Sequence, residues 1–299
     1  MMQIANAPCS WGILEFESDA EPAGFEQVLD EMQQTGYAGA ELGDWGFMPT
    51  DPARLSQELQ KRGLTMLGAF VPVALADEAA HDDGERRALR TANLLAAVEP
   101  DTPVIVLADD NGSDRERTRY AGRTGPQHML DDARWQTFAR GAERIARAVR
   151  RETGLRTVFH HHGAGYVETA QELERLMSLT DPDVLGLCLD TGHLRFGGGD
   201  PLAAIEQYAP RIWHVHFKDF DPQVAERARR DEWDYFEQVR HGVFCELGQG
   251  DVDFPAVVDA LKRVGYEGWI VVEQDVLPGL GTPKESAARN RAYLHQLGL

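Results

Sequence analysis

The segment His-Val-His-Phe-Lys-Asp, residues 214–219, ends an apolar run with a group of ionisable side chains. Side chains alternate along a strand, so His214 and His216 share one face. Two imidazoles beneath a layer of helices would be costly, which favours the interior of a closed barrel for that face. Three other apolar runs end in the same way, in Phe-His-His-His-Gly (159–163), Leu-Asp-Thr-Gly-His (189–193) and Val-Val-Glu-Gln-Asp (271–275). Strands that end in histidine and carboxylate are typical of a site built at the carboxyl edge of a parallel barrel.

Eight short apolar runs alternate with longer amphipathic segments along the whole chain. The predicted strands are Gln3–Ala7, Gly39–Leu42, Thr65–Val71, Val104–Leu107, Thr157–His160, Leu185–Leu189, Ile212–Phe217 and Trp269–Glu273. The predicted helices are Phe25–Thr35, Pro52–Arg62, Arg86–Val98, Trp135–Arg151, Glu168–Met177, Pro201–Tyr208, Pro255–Val264 and Pro283–Leu297. Eight strand–helix units predict an α/β fold, a single-domain (β/α)8 TIM barrel over residues 1–299. An open doubly wound sheet is disfavoured, because no GxGxxG follows the first strand and no phosphate-binding GxxxxGKS/T occurs.

Two connections are longer than an ordinary loop, near 108–133 and 219–253. Both follow strands, so we expect both on the carboxyl face of the barrel, where barrel enzymes keep their chemistry. The second connection contains three aromatic residues, which predict a short helix and something for it to cover: Trp233, Tyr235 and Phe236.

The composition is ordinary for a soluble protein with a sizeable core, and its charge disfavours a polyanionic partner. The 299 residues are 42% hydrophobic and carry a net charge of −19, which disfavours nucleic acid; the basic clusters at 115–123 and 144–156 are interleaved with acidic residues. The three cysteines, Cys9, Cys188 and Cys245, are too far apart for a zinc ribbon or a disulfide framework. Reduced thiols, the absence of a signal-like N-terminus and the absence of a membrane-spanning apolar stretch predict a cytoplasmic protein.

The strand ends supply the candidate metal ligands Asp190, His216 and Glu273, with either Glu168 or a histidine of the fifth strand as the fourth. Asp190 has an alternative role as a helix cap, but the next predicted helix begins at Pro201, where Asp200 is the better cap. Glu273 ends a fully apolar run and therefore needs a metal, a proton or an arginine beside it. Oxygen and nitrogen donors of this kind suit Mn²⁺, Co²⁺, Fe²⁺, Zn²⁺ or Mg²⁺.

Other polar and aromatic residues near the strand ends are candidates for substrate contacts. His160 and His162 share one face of the fifth strand, and His161 takes the other. Lys218 and Asp219 continue toward the rim, where a cation meets a substrate oxygen. Three aromatic residues follow early strands and would form an apolar wall, with ordinary barrel-end packing as the alternative: Trp11, Trp45 and Phe70. Arg123 in the long polar connection would bind a phosphate or hydroxyl group, with simple exposure to solvent as the alternative.

Taken together, these motifs resemble the xylose-isomerase-like TIM barrels of the sugar isomerase/epimerase superfamily. That family holds one divalent metal with a Glu-Asp-His-Glu set on strands five to eight, which maps Asp190, His216 and Glu273 onto three ligands. The fifth strand departs from the usual Glu-Asn-His, because this chain has three consecutive histidines. His-x-His-x-Gly followed by Val-Glu-Thr is similar to the inosose dehydratase branch, as are Ala-Pro-Cys-Ser-Trp-Gly (7–12), Glu-Leu-Gly-Asp-Trp-Gly-Phe-Met-Pro (41–49) and Phe-Val-Pro (70–72). The resemblance makes Glu168 the expected fourth ligand and His160 the second choice.

The resemblance implies a metal-dependent lyase of carbohydrate metabolism that dehydrates 2-keto-myo-inositol or a related polyhydroxy ketone through an enediolate, with Mn²⁺ or Co²⁺ as the first expected metals. His160, His162 or Glu273 would remove the α-proton, and His193 or Lys218 would protonate the departing oxygen. A ketose isomerase or epimerase is the first alternative. An apurinic endonuclease and a non-catalytic sugar-binding barrel follow, the former disfavoured by the charge of −19. The sequence leaves homo-oligomerisation open.

Overall fold

The structure is a computed structural model that describes residues 2–13, 23–277 and 280–299. Within these ranges eight parallel strands close into a barrel in the order β1-β10-β7-β6-β5-β4-β3-β2, which confirms the predicted (β/α)8 fold. The barrel strands are β1 Gln3–Asn6, β2 Gly39–Glu41, β3 Thr65–Val73, β4 Val104–Asp109, β5 Arg156–His160, β6 Leu185–Asp190, β7 Ile212–Phe217 and β10 Trp269–Val272. The barrel closes where β1 pairs with β10, from Gln3 opposite Trp269 to Asn6 opposite Val272.

Helices surround this barrel and connect its strands. They are α1 Phe25–Gln34, α2 Pro52–Gln60, α3 His81–Val98, α4 Arg115–Arg119, α5 Asp132–Thr153, α6 Ala170–Leu179, α7 Thr191–Phe196, α8 Pro201–Tyr208, α9 Pro222–Asp231, α10 Tyr235–Arg240, α11 Phe254–Arg263 and α12 Pro283–Gln296. In the described part of the chain, 3₁₀ turns lie at Pro8–Trp11, Glu78–Ala80, Pro126–His128 and Ala209–Arg211. No described helix has the length and apolar character needed to cross a membrane.

The strands form because their side chains are buried on both faces. Every residue of β4 and of β6 is buried, and near-continuous apolar runs of this kind are typical of parallel sheets covered by helices. The helices contribute an apolar stripe: α5 buries residues at helical spacing along its 22 residues, including Trp135, Phe138, Ala142, Ile145 and Val149. The main core therefore lies between the barrel wall and the helical layer.

The two long connections contain most of the elements that the sequence pattern missed. The connection after β4 contains α4 and a 3₁₀ turn, and the connection after β7 contains α9, α10 and a two-stranded hairpin, β8 (Asp219–Phe220) with β9 (Phe244–Cys245). Aromatic residues of the second connection pack in a separate apolar cluster over the carboxyl end of the barrel, with Tyr235, Phe244 and Phe196 at its centre. Tyr235 and Phe244 of the second connection thus pack against Phe196 of α7.

Candidate active site

Four side chains from neighbouring strands converge at the carboxyl end of the barrel. They are His160 at the end of β5, Asp190 at the end of β6, His216 on β7 and Glu273 immediately after β10, and one donor atom from each lies within 4.8 Å of the others. Within this group, His216 Nδ1 lies 3.2 Å from Glu273 Oε1, and His160 Nε2 lies 3.4 Å from Asp190 Oδ2. The strand register explains the grouping, because Asp190 lies opposite His216 in the β6–β7 pair.

The donor set fits a divalent metal. His216 Nδ1 and His160 Nδ1 are buried atoms that make no hydrogen bond to any described residue, and a buried polar atom without a partner needs an explanation. Two imidazoles and two carboxylates are the nitrogen and oxygen ligands preferred by borderline and hard divalent ions. Burial favours a neutral Asp190 and raises its pKa, whereas the charges of His216 and Lys218 outweigh burial at Glu273 and lower its pKa well below the usual range.

A carboxylate deeper in the barrel contacts the same histidine from the other side. Glu41 Oε1 lies 2.7 Å from His214 Nε2 and 3.0 Å from His216 Nε2, and all three side chains are almost fully buried. Burial alone would raise the pKa of Glu41, but the charge of His216 and the hydrogen bonds from both histidines lower it to about 2. His216 therefore lies between Glu41 and Glu273.

Lys218 is the only lysine or arginine among the described residues that line the cleft above this group. Its Nζ lies 3.1 and 3.2 Å from the two carboxylate oxygens of Asp275 and 3.4 Å from Glu273 Oε2. Burial would lower the pKa of Lys218, but the charges of Asp275 and Glu273 raise it well above its ordinary value. The ammonium group is therefore charged and held in place at the edge of the convergent group.

His162 also lines the cleft, and its surroundings define which nitrogen is available. Its Nδ1 lies 2.7 Å from the carbonyl oxygen of Gly163, which can only accept, so Nδ1 carries the proton and Nε2 has the lone pair. Burial and the nearby His160 lower the pKa of His162 to about 3, so the ring is neutral at pH 7. His193 stacks behind it, with ring centroids 4.1 Å apart, and is itself packed against Phe244.

Glu168 lies in the loop before α6, outside the convergent group that contains His160. Its Oε1 accepts hydrogen bonds from Gly122 N and Thr124 Oγ1, and its Oε2 accepts one from Ala164 N. These bonds tie the β5–α6 loop to the connection that follows β4, so the carboxylate is occupied by loop donors. Burial raises the pKa of Glu168 to about 7. The geometry thus favours the second choice, His160, over Glu168 as the fourth donor.

Asp190 caps a helix, a role that the sequence analysis set aside in favour of a ligand role, and it also faces the convergent group. Its Oδ1 accepts a hydrogen bond from His193 N at 2.7 Å and caps the six-residue helix α7, while Oδ2 faces His160. The expectation that the next helix begins only at Pro201 was wrong, because α7 is too short to show a helical period in the sequence. His161 immediately follows β5, and its Nε2 accepts a hydrogen bond from Asp190 N at 3.2 Å.

Four predicted substrate-binding residues are not brought into the cleft. Trp11 is buried and donates from Nε1 to Glu31, and Trp45 is 37% exposed with Arg90 stacked 4.0 Å above its ring. Arg123 donates to the carbonyl oxygens of Arg119, Ala228 and Trp233, which fixes the covering connection. Asp219 accepts from the backbone amides of Phe220, Gly248, Gly250 and Val252, so loop amides occupy both of its oxygens.

The cleft above the convergent group has about 700 Å³ of empty space, part of which is open to solvent. Phe70 contributes the apolar wall that was predicted for three aromatic residues, with ring-edge contact to His160. Residues without a predicted role also line it: Ala7, Pro8, Cys9, Ile13, Glu41, Gly43, Asp44, Asn111, Tyr235 and Asp275. Two of these residues could have been predicted from the sequence. Glu41 ends an apolar run, as Glu273 does, and Asp275 lies two residues after Glu273, which places it on the same face if the strand alternation continues.

Comparisons with known proteins agree with this architecture. The family described as "Xylose isomerase-like TIM barrel" matches residues 29–297. An inosose dehydratase of Lacticaseibacillus casei is 33% identical over 98% of this chain and 96% of its own length. An inosose dehydratase of Geobacillus kaustophilus is 31% identical over 99% of this chain and 94% of its own.

Solved structures share the fold at lower identity. A 3-keto-D-glucoside 4-epimerase from E. coli superimposes with a TM-score of 0.72 at 16% identity, over 99% of this chain and all of the other. A probable 3-DHS dehydratase from Bacillus anthracis gives 0.71 at 15% identity, over 99% of each chain. Because the family match covers nearly the whole barrel and its strand ends, this chain belongs to the xylose isomerase-like TIM barrel family.

Proposed function

We propose that this protein is a metal-dependent hydro-lyase that dehydrates a cyclic polyhydroxy ketone of the 2-keto-myo-inositol (inosose) type. The observation that carries the proposal is the convergent group of His160, Asp190, His216 and Glu273 at the floor of a cleft that also contains His162 and Lys218. Full-length similarity to inosose dehydratases supports the reaction class, a dehydratase or a related isomerase/epimerase. Inositol catabolism would be the corresponding pathway.

The four residues of the convergent group would hold the ion, with Mn²⁺ and Co²⁺ as the first candidates. Bound there, a divalent ion would supply Lewis-acid polarisation of the substrate ketone and so acidify the neighbouring C–H bond. The convergent group offers two imidazole nitrogens and two carboxylates as donors. Two of its buried atoms, His216 Nδ1 and His160 Nδ1, make no hydrogen bond to any described residue. We propose His160 in place of Glu168, whose oxygens accept from three loop donors.

His162 is the proposed base. Its Nδ1–H is fixed on Gly163 O, so Nε2 is the nitrogen that takes the α-proton of the substrate. His193 lies behind the ring rather than in the cleft and would maintain its orientation. This reassigns His193 from proton transfer, where the sequence placed it, to support of His162.

Lys218 is the proposed partner of the departing hydroxyl group. Its ammonium group, held by Asp275 and Glu273, donates a hydrogen bond to the β-oxygen as the C–O bond breaks. The electron pair of the α C–H bond forms the new double bond, and the proton taken by His162 leaves with the hydroxide as water. The cleft carries no further lysine or arginine among its described lining residues, which suits an uncharged substrate.

The decisive experiment incubates the Mn²⁺-loaded protein with 2-keto-myo-inositol and follows formation of the dehydrated diketone by its ultraviolet absorbance and by NMR. We expect dehydration with the native protein, loss of activity after chelation and recovery with Mn²⁺ or Co²⁺. His162→Gln should retain metal but lose turnover. Release of an epimer or ketose isomer without loss of water would replace the dehydratase by an isomerase/epimerase.

Metal content tests the ligand assignment separately. We expect Asp190→Asn and His160→Gln to lower the bound metal per chain, measured by elemental analysis after dialysis. Glu168→Gln is the matched control, since it changes a buried carboxyl of the adjoining loop. If Glu168→Gln lost metal and His160→Gln retained it, the fourth ligand would be Glu168.

A further inference from the structure

One carboxylate oxygen connects two histidines beneath the proposed metal-ligand group. Glu41 Oε1 lies 2.7 Å from His214 Nε2 and 3.0 Å from His216 Nε2. An ionised carboxylate satisfies both contacts as the acceptor when each imidazole carries a proton on Nε2. Glu41 is 3% exposed and His216 is 1% exposed, so water does not compete for these contacts.

The opposite edge of the His216 ring faces the proposed ligands. Nδ1 lies 3.2 Å from Glu273 Oε1 and 3.9 Å from Asp190 Oδ2, yet makes no hydrogen bond. In the neutral ring, which is the form in which histidine binds a metal ion, a proton on Nε2 leaves the lone pair on Nδ1, the atom directed at the other donors. The tautomer that Glu41 favours is thus the one that leaves a metal-binding nitrogen.

We propose that Glu41 is a positioning residue that fixes the tautomer and the orientation of His216, so that Nδ1 is presented to the metal. His214, bound to the same oxygen, keeps the carboxylate of Glu41 in place. Carboxylates that accept from the second nitrogen of a ligating histidine orient the ring and increase its basicity. The inference rests on the metal site of the proposed function, although it does not depend on which substrate is used.

The first test measures Mn²⁺ binding to the metal-free protein by calorimetry, without substrate. We expect one ion per chain and, for Glu41→Gln, an affinity weaker by about 10- to 100-fold, the usual effect of removing such a partner. Asp109→Asn is the matched control: Asp109 is also a buried carboxyl at a strand end, but it accepts from the amides of Leu75 and Tyr166. Its metal affinity should stay within about twofold of the native value.

Two calorimetric results would overturn the proposal. One is a Glu41→Gln variant that melts like the native protein and binds Mn²⁺ within about twofold of it. The other is a second bound ion in the native protein that disappears in Glu41→Gln and in His214→Gln, since donor atoms of Glu41, His214 and His216 also lie within 4.8 Å of one another. That outcome would make Glu41 a ligand.

The second test needs no substitution of Glu41 and therefore stands even if that variant does not fold. In ¹⁵N-histidine-labelled native protein loaded with diamagnetic Zn²⁺, the His216 signals are assigned by their absence in His216→Gln. We expect the proton on Nε2 and the metal on Nδ1; the reverse arrangement would refute the proposal. Neither test includes substrate, so a failure of the dehydration assay leaves the role of Glu41 to be decided by metal binding alone.

Discussion

Replacing Arg117 by methionine should destabilise the fold strongly, because Arg117 forms a buried ion pair with Glu172. The side chains of Arg117 and Glu172 are 1% and 0% exposed, with guanidinium–carboxylate distances of 2.9 and 3.0 Å. Arg117 Nε also donates to the carbonyl oxygen of Gly165 at 2.8 Å. The ion pair joins α4 to α6, and the hydrogen bond to Gly165 joins α4 to the loop that leads from His162 to α6.

The magnitude follows from what the substitution leaves behind. Methionine replaces most of the aliphatic volume, so the main cost is a buried Glu172 carboxylate without a counter-charge, about 3–5 kcal/mol. Glu172 Oε2 still accepts from Glu168 N, Thr169 N and Thr169 Oγ1, so we expect the lower half of that range. Adding Glu172→Gln removes the charge and keeps the capping box with Thr169, so the double variant should be more stable than Arg117→Met alone.

Urea denaturation of the native protein, both single variants and the double variant gives the free energies of unfolding and the coupling between the two residues. Arg175→Met is the control, since its ion pair with Asp132 is 40% and 92% exposed and should contribute less than about 1 kcal/mol. A loss below about 1 kcal/mol for Arg117→Met, or strict additivity in the double variant, would refute the reasoning.

Three further outcomes follow from single positions. Burial raises the pKa of Asp109 to about 7, so the folded chain binds the proton of this carboxyl group more tightly than the unfolded chain does. The free energy of unfolding should therefore fall as the pH rises from about 4 to 7, by at most about 4 kcal/mol. Denaturation series at several pH values should show a smaller slope for Asp109→Asn. Gly197→Ala would place a Cβ against the backbone carbonyl of Glu168, and we expect a loss of about 1–3 kcal/mol, measurable as a lower melting temperature; an unchanged melting temperature would show that the loop yields. Phe70→Ala removes the apolar wall of the cleft and should raise KM by about tenfold with a smaller change in kcat, because a buried aromatic contact contributes about 1.5–3 kcal/mol.

The barrel could be predicted from the sequence because its strands are local, continuous apolar runs. All eight predicted strands are present, and Ile212–Phe217 has the predicted bounds. The short elements could not be predicted in the same way. The six residues of α7 and the two-residue strands β8 and β9 are shorter than the window in which a period can be recognised, and they form because neighbouring segments hold them.

The candidate residues at the ends of barrel strands converge, whereas those farther along the connections do not. Asp190, His216 and Glu273 converge because strand register and alternation fix where their side chains point. Glu168 and Asp219 lie beyond the ends of barrel strands, Asp219 in the two-residue strand β8, and there the direction of a side chain depends on which loop amides are within reach. Trp11 and Trp45 follow early strands, but each found a partner elsewhere, in Glu31 and Arg90.

The sequence by itself determined the fold class, the face that carries the site and three of the four convergent donors, because these depend on periodicity along one strand at a time. Only the tertiary structure decided that His160 joins them while Glu168 bonds to loop donors, and that Glu41, 175 positions away from His216, meets the second nitrogen of that ring. Such contacts form between side chains of strands far apart in the chain. Their distances are set by barrel closure, and no local pattern of residues contains that information.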